Sequence, residues 1–281
     1  MRLLSSPRRW LVREITRILT APLPRYELLV PNDFERLKRH VRKGDLILVD
    51  GEQRVSLVIK YLTQSQWSHV VVFVGDEKLR RFPERRSELV ATYGDEADHL
   101  ILEALMEGVV VSPLSKYLPN NIRVCRPYSL RKDDRDRILD ELLARVGHAY
   151  DIKNIIDLAR YFFPVSLIPQ RFRRRALTIG SGDATSVICS SMIAQAFQNV
   201  GFPILPKVLS TDPTPPPTGL RRLFQRGSSQ MSHYVREPVT LVTPRDFDIS
   251  PYFEIVKFNV IEDMKFDYRK IRWADDRDEA S

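Results

Sequence analysis

Two cysteines among 281 residues, Cys125 and Cys189, are too few for a disulfide framework and lack metal-ligand spacing. The five histidines stand singly at 40, 69, 99, 148 and 233, so no zinc site, and no metal or organic cofactor, is expected. No apolar run approaches the ~18 residues of a membrane span. The chain opens Met1-Arg2-Leu3-Leu4, but Pro7, Arg8 and Arg9 interrupt before an apolar segment develops. A secretory signal is therefore not expected, and the default location is cytoplasmic. There are no internal repeats.

What remains is an ordinary globular composition with a cationic excess. Hydrophobic residues make up 43% and charged residues 28%, and the length allows one substantial core or two small ones. The formal net charge is +8, which suits an anionic partner: a membrane surface, a cell-wall polymer or nucleic acid. No nucleic-acid-binding motif accompanies the charge, so a nucleic-acid partner is not expected. Two stretches concentrate it. In residues 7–20, Trp10, Leu11, Ile15, Ile18 and Leu19 share a helical face, with Arg8, Arg9, Arg13 and Arg17 around it. Such a helix either lies in a membrane interface or packs on its own domain. The run Arg171-Phe172-Arg173-Arg174-Arg175 is a solvated loop or a seat for a phosphate or anionic headgroup.

Three segments are expected: an N-terminal helix and linker over 1–34, one domain over 35–260, and a tail over 261–281. Ala21-Pro22-Leu23-Pro24 reads as a stiff link, and Asp33 precedes a short helix through Phe34, Leu37 and Val41. Gly44-Asp45 turns into a buried strand, Leu46–Val49. A helix follows over 55–63. Ser68 to Gly75 is β-branched nearly throughout, with His69, Val71 and Phe73 on one side and Val70, Val72 and Val74 on the other. Residues 77–98 form a charged surface excursion. Strands are expected at 100–104, 109–112 and 122–127, then a helix over 131–146 stopped by Gly147. A second helix is expected near 155–163, and an extended proline-rich loop over 211–217. Pro238–Val242 reads as a returning strand, Thr243–Phe247 as a helical turn, and 253–256 as the closing strand.

The stretch that carries chemistry runs from Thr185 to Phe197. Breakers Gly180 to Asp183 precede it, and Thr185 or Ser186 can cap a helix whose apolar face is Ile188, Met192, Ile193, Ala196 and Phe197. Cys189 falls in the first turn, where free N–H groups and the helix dipole favour the nucleophilic thiolate. A small buried apolar residue is the plainer alternative. A cysteine nucleophile needs a base, and the base needs a polar group to orient it. His69 and Glu103 stand on adjacent strands, each out of place in apolar surroundings, and a buried carboxylate is costly without a partner. The pairing requires a His69 ring nitrogen within hydrogen-bond reach of the sulfur, a carboxylate on the other nitrogen, and a groove reaching Cys189.

Gly44-Asp45-Leu46-Ile47, Trp67-Ser68-His69-Val70, Leu102-Glu103-Ala104 and Ile188-Cys189-Ser190-Ser191, in that order, resemble the circularly permuted papain-like fold of the NlpC superfamily. The resemblance is strongest to the YiiX/YebB-like amidases and extends more distantly to lecithin:retinol acyltransferase. It covers roughly residues 40–258, including Gly147 to Asp151. It implies an α+β fold in which a small antiparallel sheet packs against helices, with the histidine strand ahead of the cysteine helix. It also implies Cys189 as nucleophile, His69 as base and Glu103 as orienting acid, the Cys189 N–H contributing to an oxyanion hole. Tyr150, Ser190 and Asp45, in or beside the same motifs, are the candidate substrate-binding residues. The implied activity is a thiol hydrolase or acyltransferase acting on a cell-wall-type peptide or a lipid acyl group. The alternative is a non-catalytic membrane-surface or envelope-binding protein on the same fold, with peripheral contact through 7–20 and 171–175.

Overall fold

The computed structural model describes residues 17, 21–22, 26–105, 108–148, 188–209 and 233–259. The expected features at 7–20, 149–187, 210–232 and 260–281, including Tyr150 and Arg171–Arg175, lie outside the described residues, Arg17 apart.

Five strands and a closing sixth build one antiparallel sheet. They are β1 (Leu46–Val49), β2 (His69–Gly75), β3 (Leu100–Leu105), β4 (Gly108–Pro113), β5 (Ile122–Pro127) and, last in the chain, β8 (Phe253–Val256). Their order is β4-β3-β2-β1-β5-β8, every neighbour antiparallel. Period-two alternation gives the sheet two apolar faces. One carries Leu46, Leu48, Val70, Val72, Leu102 and Cys125 and is covered by helices α5 (Lys132–Ala144) and α6 (Ile188–Asn199). The other carries Ile47, Val71, Phe73, Ile101 and Val124 and is covered by α1 (Phe34–His40), Leu114 and Phe258.

Helix α1 begins where Asp33 accepts a hydrogen bond from the Arg36 N–H at 2.9 Å. Helix α2 (Arg54–Thr63) links β1 to β2, with Leu62 buried. The charged excursion between β2 and β3 is itself helical: α3 (Glu77–Arg81) and α4 (Arg86–Tyr93) close over a small cluster of Leu79, Leu89 and Ala97. Strands β6 (Lys207–Leu209) and β7 (His233–Val235) pair separately. Helix α7 (Pro244–Asp248) opens with a reciprocal capping box between Thr243 and Asp246.

Two expectations are corrected. Residues 238–242 are not a strand; Val239–Leu241 is a single 3₁₀ turn. The segment before residue 34 is also more than a link. Pro22 bridges Gln53, the Tyr26 hydroxyl donates to the Asp50 carbonyl, and Asn32 donates to the carbonyls of Leu118 and Asn120. These polar groups of the segment are satisfied by the domain.

Helix α6 is seated firmly. Ile193, Ala194, Ala196 and Phe197 are fully buried, and the two alanines allow a close approach to the sheet. Phe197 meets Phe202 and Phe253 with ring centroids 5.5 and 5.6 Å apart. Removing a ring from such a cluster costs about 3–5 kcal/mol. The same packing fixes where the first turn of α6, and with it Cys189, must lie.

Candidate active site

The register of β2 and β3 pairs Val72 with Leu102; continued, it sets Glu103 across from Val71 and diagonal to His69. Both side chains thus belong to one face near the end of the sheet. His69 is the first residue of β2 and keeps 18% of its side chain exposed, whereas Glu103 is fully buried. Helix α6 packs on β2 and β3, and its first turn brings the Cys189 thiol near enough to His69 to raise the imidazole electrostatically. Because His69 ends its strand, its ring is reachable from the helix layer.

Glu103 is the hub. One carboxylate oxygen accepts from the Ser112 hydroxyl and from Lys116 Nζ, each at 2.5 Å. The other accepts from the Tyr117 hydroxyl at 2.5 Å and faces His69 Nε2 at 3.3 Å. Each oxygen therefore has two donors, which is the full capacity of a carboxylate. Taking Nε2 leaves Nδ1 as the nitrogen that can serve the sulfur. Tyr117 also flanks the imidazole, ring centroids 5.9 Å apart.

The charges follow from this arrangement. Burial would push the His69 imidazole down, but attraction and hydrogen bonding to Cys189, and then to Glu103, raise it from 6.5 to about 9. Burial would likewise raise Glu103, yet the His69 bond and charge, followed by Lys116, lower it from 4.5 to about 2. Burial and the Glu103 charge push the Tyr117 phenol far up, so it remains a donor. At neutral pH the site holds an imidazolium between a carboxylate and a sulfur. Such a group can deliver a proton to a leaving atom and take one back.

The three expected catalytic candidates come together; of the expected substrate-binding residues, Asp45 and Ser190 make their hydrogen bonds elsewhere. Asp45 lies just before β1, at the other end of that strand from Val49, which pairs with His69. Its oxygens accept from Arg126 at 3.0 and 2.7 Å and from the Arg42 N–H at 2.8 Å. In the structure it ties a turn to β5. Ser190 is fully buried and its hydroxyl donates to the Val242 carbonyl at 2.6 Å, anchoring the first turn of α6. Tyr150 lies outside the described residues. Sequence reasoning missed Ser112, Lys116 and Tyr117. They sit on β4 and on the turn after it, and only the fold brings them back to Glu103.

Two hollows stand away from this cluster. One, about 240 Å³, lies beyond the C-terminal end of α6 around Phe202, Ile204 and Tyr252. The helix rise puts it roughly 15–18 Å from Cys189. The other, about 460 Å³, lies at the Gly75 end of the sheet. Neither is lined by Cys189, so neither is the groove expected at the sulfur. Among the described residues no group of three or more His, Cys, Asp and Glu could hold a metal ion, and no helix is long and apolar enough to cross a membrane.

Residues 40–175 match the family of permuted papain-like amidase enzymes, YaeF/YiiX, C92. The matched region is YiiX-like. It contains His69 and Glu103 and stops short of Cys189, whose place in the site rests on the geometry above. The α+β architecture is the permuted papain-like one, the histidine strand preceding the cysteine helix, and the family implies papain-like amidase or peptidase activity. A crystal structure titled metalloprotein YiiX, from Escherichia coli O157:H7, aligns over 78% of this chain and 98% of its own, at 17% identity and a TM-score of 0.42. No curated protein matches the chain.

Proposed function

We propose that the protein is a cysteine hydrolase or acyltransferase that cleaves an amide, ester or thioester through an acyl-Cys189 intermediate. The observation that carries this reading is the His69 imidazole held between Glu103 and Cys189 and raised to about 9. The Cys189 sulfur, as thiolate, attacks the acyl carbon. The carbonyl π electrons move onto oxygen, and N–H groups of the first turn of α6, Cys189 among them, stabilise that oxyanion. As the carbonyl re-forms, the bond to the leaving nitrogen, oxygen or sulfur breaks, and His69 gives that atom its proton. Neutral His69 then takes a proton from water, for hydrolysis, or from an acceptor nucleophile, for transfer. That nucleophile attacks the acyl carbon, the C–S bond breaks, and the thiolate–imidazolium pair is restored. Glu103 stays ionised throughout and orients the imidazole. Cell-wall-type peptides and lipid acyl groups are the proposed substrate classes.

An activated acyl ester such as p-nitrophenyl acetate tests the step. One acetyl group should appear on Cys189 by peptide mass spectrometry, with a burst of nitrophenol. Acetylation of Cys125 instead, or wild-type turnover by Cys189→Ala, would overturn it.

The cationic excess supports a second, separate proposal: a cytoplasmic protein that touches anionic membrane through residues 7–20 and 171–175. Since residues 21–22 and 26–33 are bound to the domain, deletion of 1–20 is the appropriate test. It should abolish flotation with phosphatidylglycerol vesicles while the melting transition persists. Unaltered flotation contradicts the role of 7–20.

A further inference from the structure

The end of the sheet opposite His69 is a cationic basin, and nothing in the catalytic reading uses it. It is an open depression of about 460 Å³, within the size range of small-ligand sites. Phe73 forms part of its wall, and Lys38, Arg42, Lys43 and Arg135 converge on it from α1, the turn before β1, and α5. Two glycines seat these cations. Gly44 has φ +88°, and a Cβ there would meet Arg135 Cγ at 3.0 Å. Gly75 has φ +58°, and a Cβ there would press on Lys43 Cγ and Cε at 3.3 and 3.2 Å. Both positions use left-handed backbone, and both leave room for the stem of a long basic side chain laid across the glycine.

The cations are held from behind. Lys43 pairs with Asp76 and Glu77, Lys38 with Glu35 at 2.7 Å, and Arg135 with Asp136 at 2.8 Å. Of the two carboxylates on the lining, Asp76 is thus tied to Lys43, and Asp98 is tied to His99 at 2.6 Å. Arg42 differs. Its guanidinium is exposed and has no hydrogen bond or ion pair among the described residues, although its backbone N–H binds Asp45. Four cations face a concavity that is lined by two carboxylates, both already engaged, and the one planar five-donor fork among them that is unoccupied is Arg42. Arginine forks match the oxygens of phosphate bidentately, and lysine adds point charge.

We infer that this basin binds a phosphate-bearing anion, with Arg42 as the principal ligand and Lys38, Lys43 and Arg135 completing the cradle. The anion is a soluble phosphorylated molecule or the headgroup of a phospholipid. The site lies across the sheet from Cys189 and stands independently of the proposed catalytic function.

Isothermal titration of the full chain with pyrophosphate at low salt tests it, beside Arg42→Gln and Arg42→Gln/Arg135→Gln. The Arg42 side chain makes no hydrogen bond or ion pair among the described residues, and its backbone bond to Asp45 survives substitution, so the single variant should fold as the wild type does, which its melting curve checks. Pyrophosphate should bind the wild type with sub-millimolar Kd, at least tenfold more weakly the single variant, and more weakly still the double variant. Flotation with phosphatidylcholine vesicles, with and without phosphatidic acid, separates the sources. Loss of the phosphatidic-acid-dependent part in Arg42→Gln assigns the lipid headgroup; retention of that part, with pyrophosphate binding lost, assigns a soluble ligand. Equal pyrophosphate affinity in wild type and both variants, or none in any, overturns the site. Alkylation of Cys189 should be unchanged in Arg42→Gln, which keeps this outcome apart from the fate of the catalytic reading.

Discussion

Glu103 and Asp45 are buried carboxylates of one sheet domain, 0% and 1% exposed, and their surroundings drive them in opposite directions. Glu103 is lowered to about 2: burial opposes ionisation, but His69 and Lys116 more than compensate. Asp45 is raised, because burial outweighs the Arg126 pair and the Arg42 N–H that favour its charge. Burial is common to both and cannot by itself account for the opposite directions. The partners do. Asp45 faces an arginine that cannot give up its proton near neutral pH. Glu103 faces an imidazole that can, and the imidazole faces a thiol.

The sharpest way to break that contrast is a pair of isosteric variants. Asp45→Asn removes the nearer of two carboxylates paired with Arg126 and leaves Glu254 at 3.8 Å, so the loss should be up to about 3 kcal/mol, the lower end for breaking a buried pair from one side. A melting curve should register that loss, while iodoacetamide labelling of Cys189 stays at the wild-type rate. Glu103→Gln should do the reverse, slowing labelling at pH 7 by ~10- to 100-fold. Its stability loss should be smaller, because Lys116 is 35% exposed and can turn to water. If both variants lowered stability alone, Glu103 would be structural as well.

The two shifts at the site also set a pH window. His69, raised from 6.5 to about 9, contributes stability that is complete below 6.5 and is lost as pH rises through about 9. Glu103, lowered from 4.5 to about 2, contributes stability present above 4.5 and lost as pH falls through about 2. Denaturant melts should therefore show the largest contribution from the pair between about pH 4.5 and 6.5. In His69→Ala the decline between pH 6.5 and 9 should flatten; an unchanged slope would place the titrating group elsewhere.

Much of the framework was legible because it is written in local patterns. The alternation through Val70–Val74 placed His69 on one face correctly, and the capping residues at Asp33 and Thr243 marked real helix starts. The anomaly of a charged residue in Leu100–Leu105 pointed to Glu103. Its company was not legible. Ser112, Lys116 and Tyr117 are ordinary residues of a strand and a turn, and no period links them to a carboxylate 9 to 14 positions away. Nor was the pairing of Asp45 with Arg126, 81 positions on, legible from the motif in which Asp45 stands.

Lys116 offers the finest adjustment. Lys116→Met removes one of the two cations that Glu103 balances, so the carboxylate should hold the His69 proton more tightly. The alkaline limb of the Cys189 labelling profile should move upward by less than one pH unit, with melting nearly unchanged. A downward shift would contradict the competition between Lys116 and His69 for Glu103.

The central claim concerns the sulfur, and the protein carries its own control. Cys125 and Cys189 are both free and buried in the same core cluster, 0% and 4% exposed. Burial, followed by the nearby Asp248 charge, pushes the Cys125 thiol up to about 12. The decisive measurement is the rate of iodoacetamide labelling of each cysteine in the native chain, resolved by peptide mass spectrometry from pH 5 to 9. Cys189 should be modified at least a hundredfold faster than Cys125 at pH 7, and His69→Ala should remove most of that difference. Comparable, slow labelling of both thiols, rising together only at high pH, would contradict a thiolate–imidazolium pair and leave Cys189 a core residue.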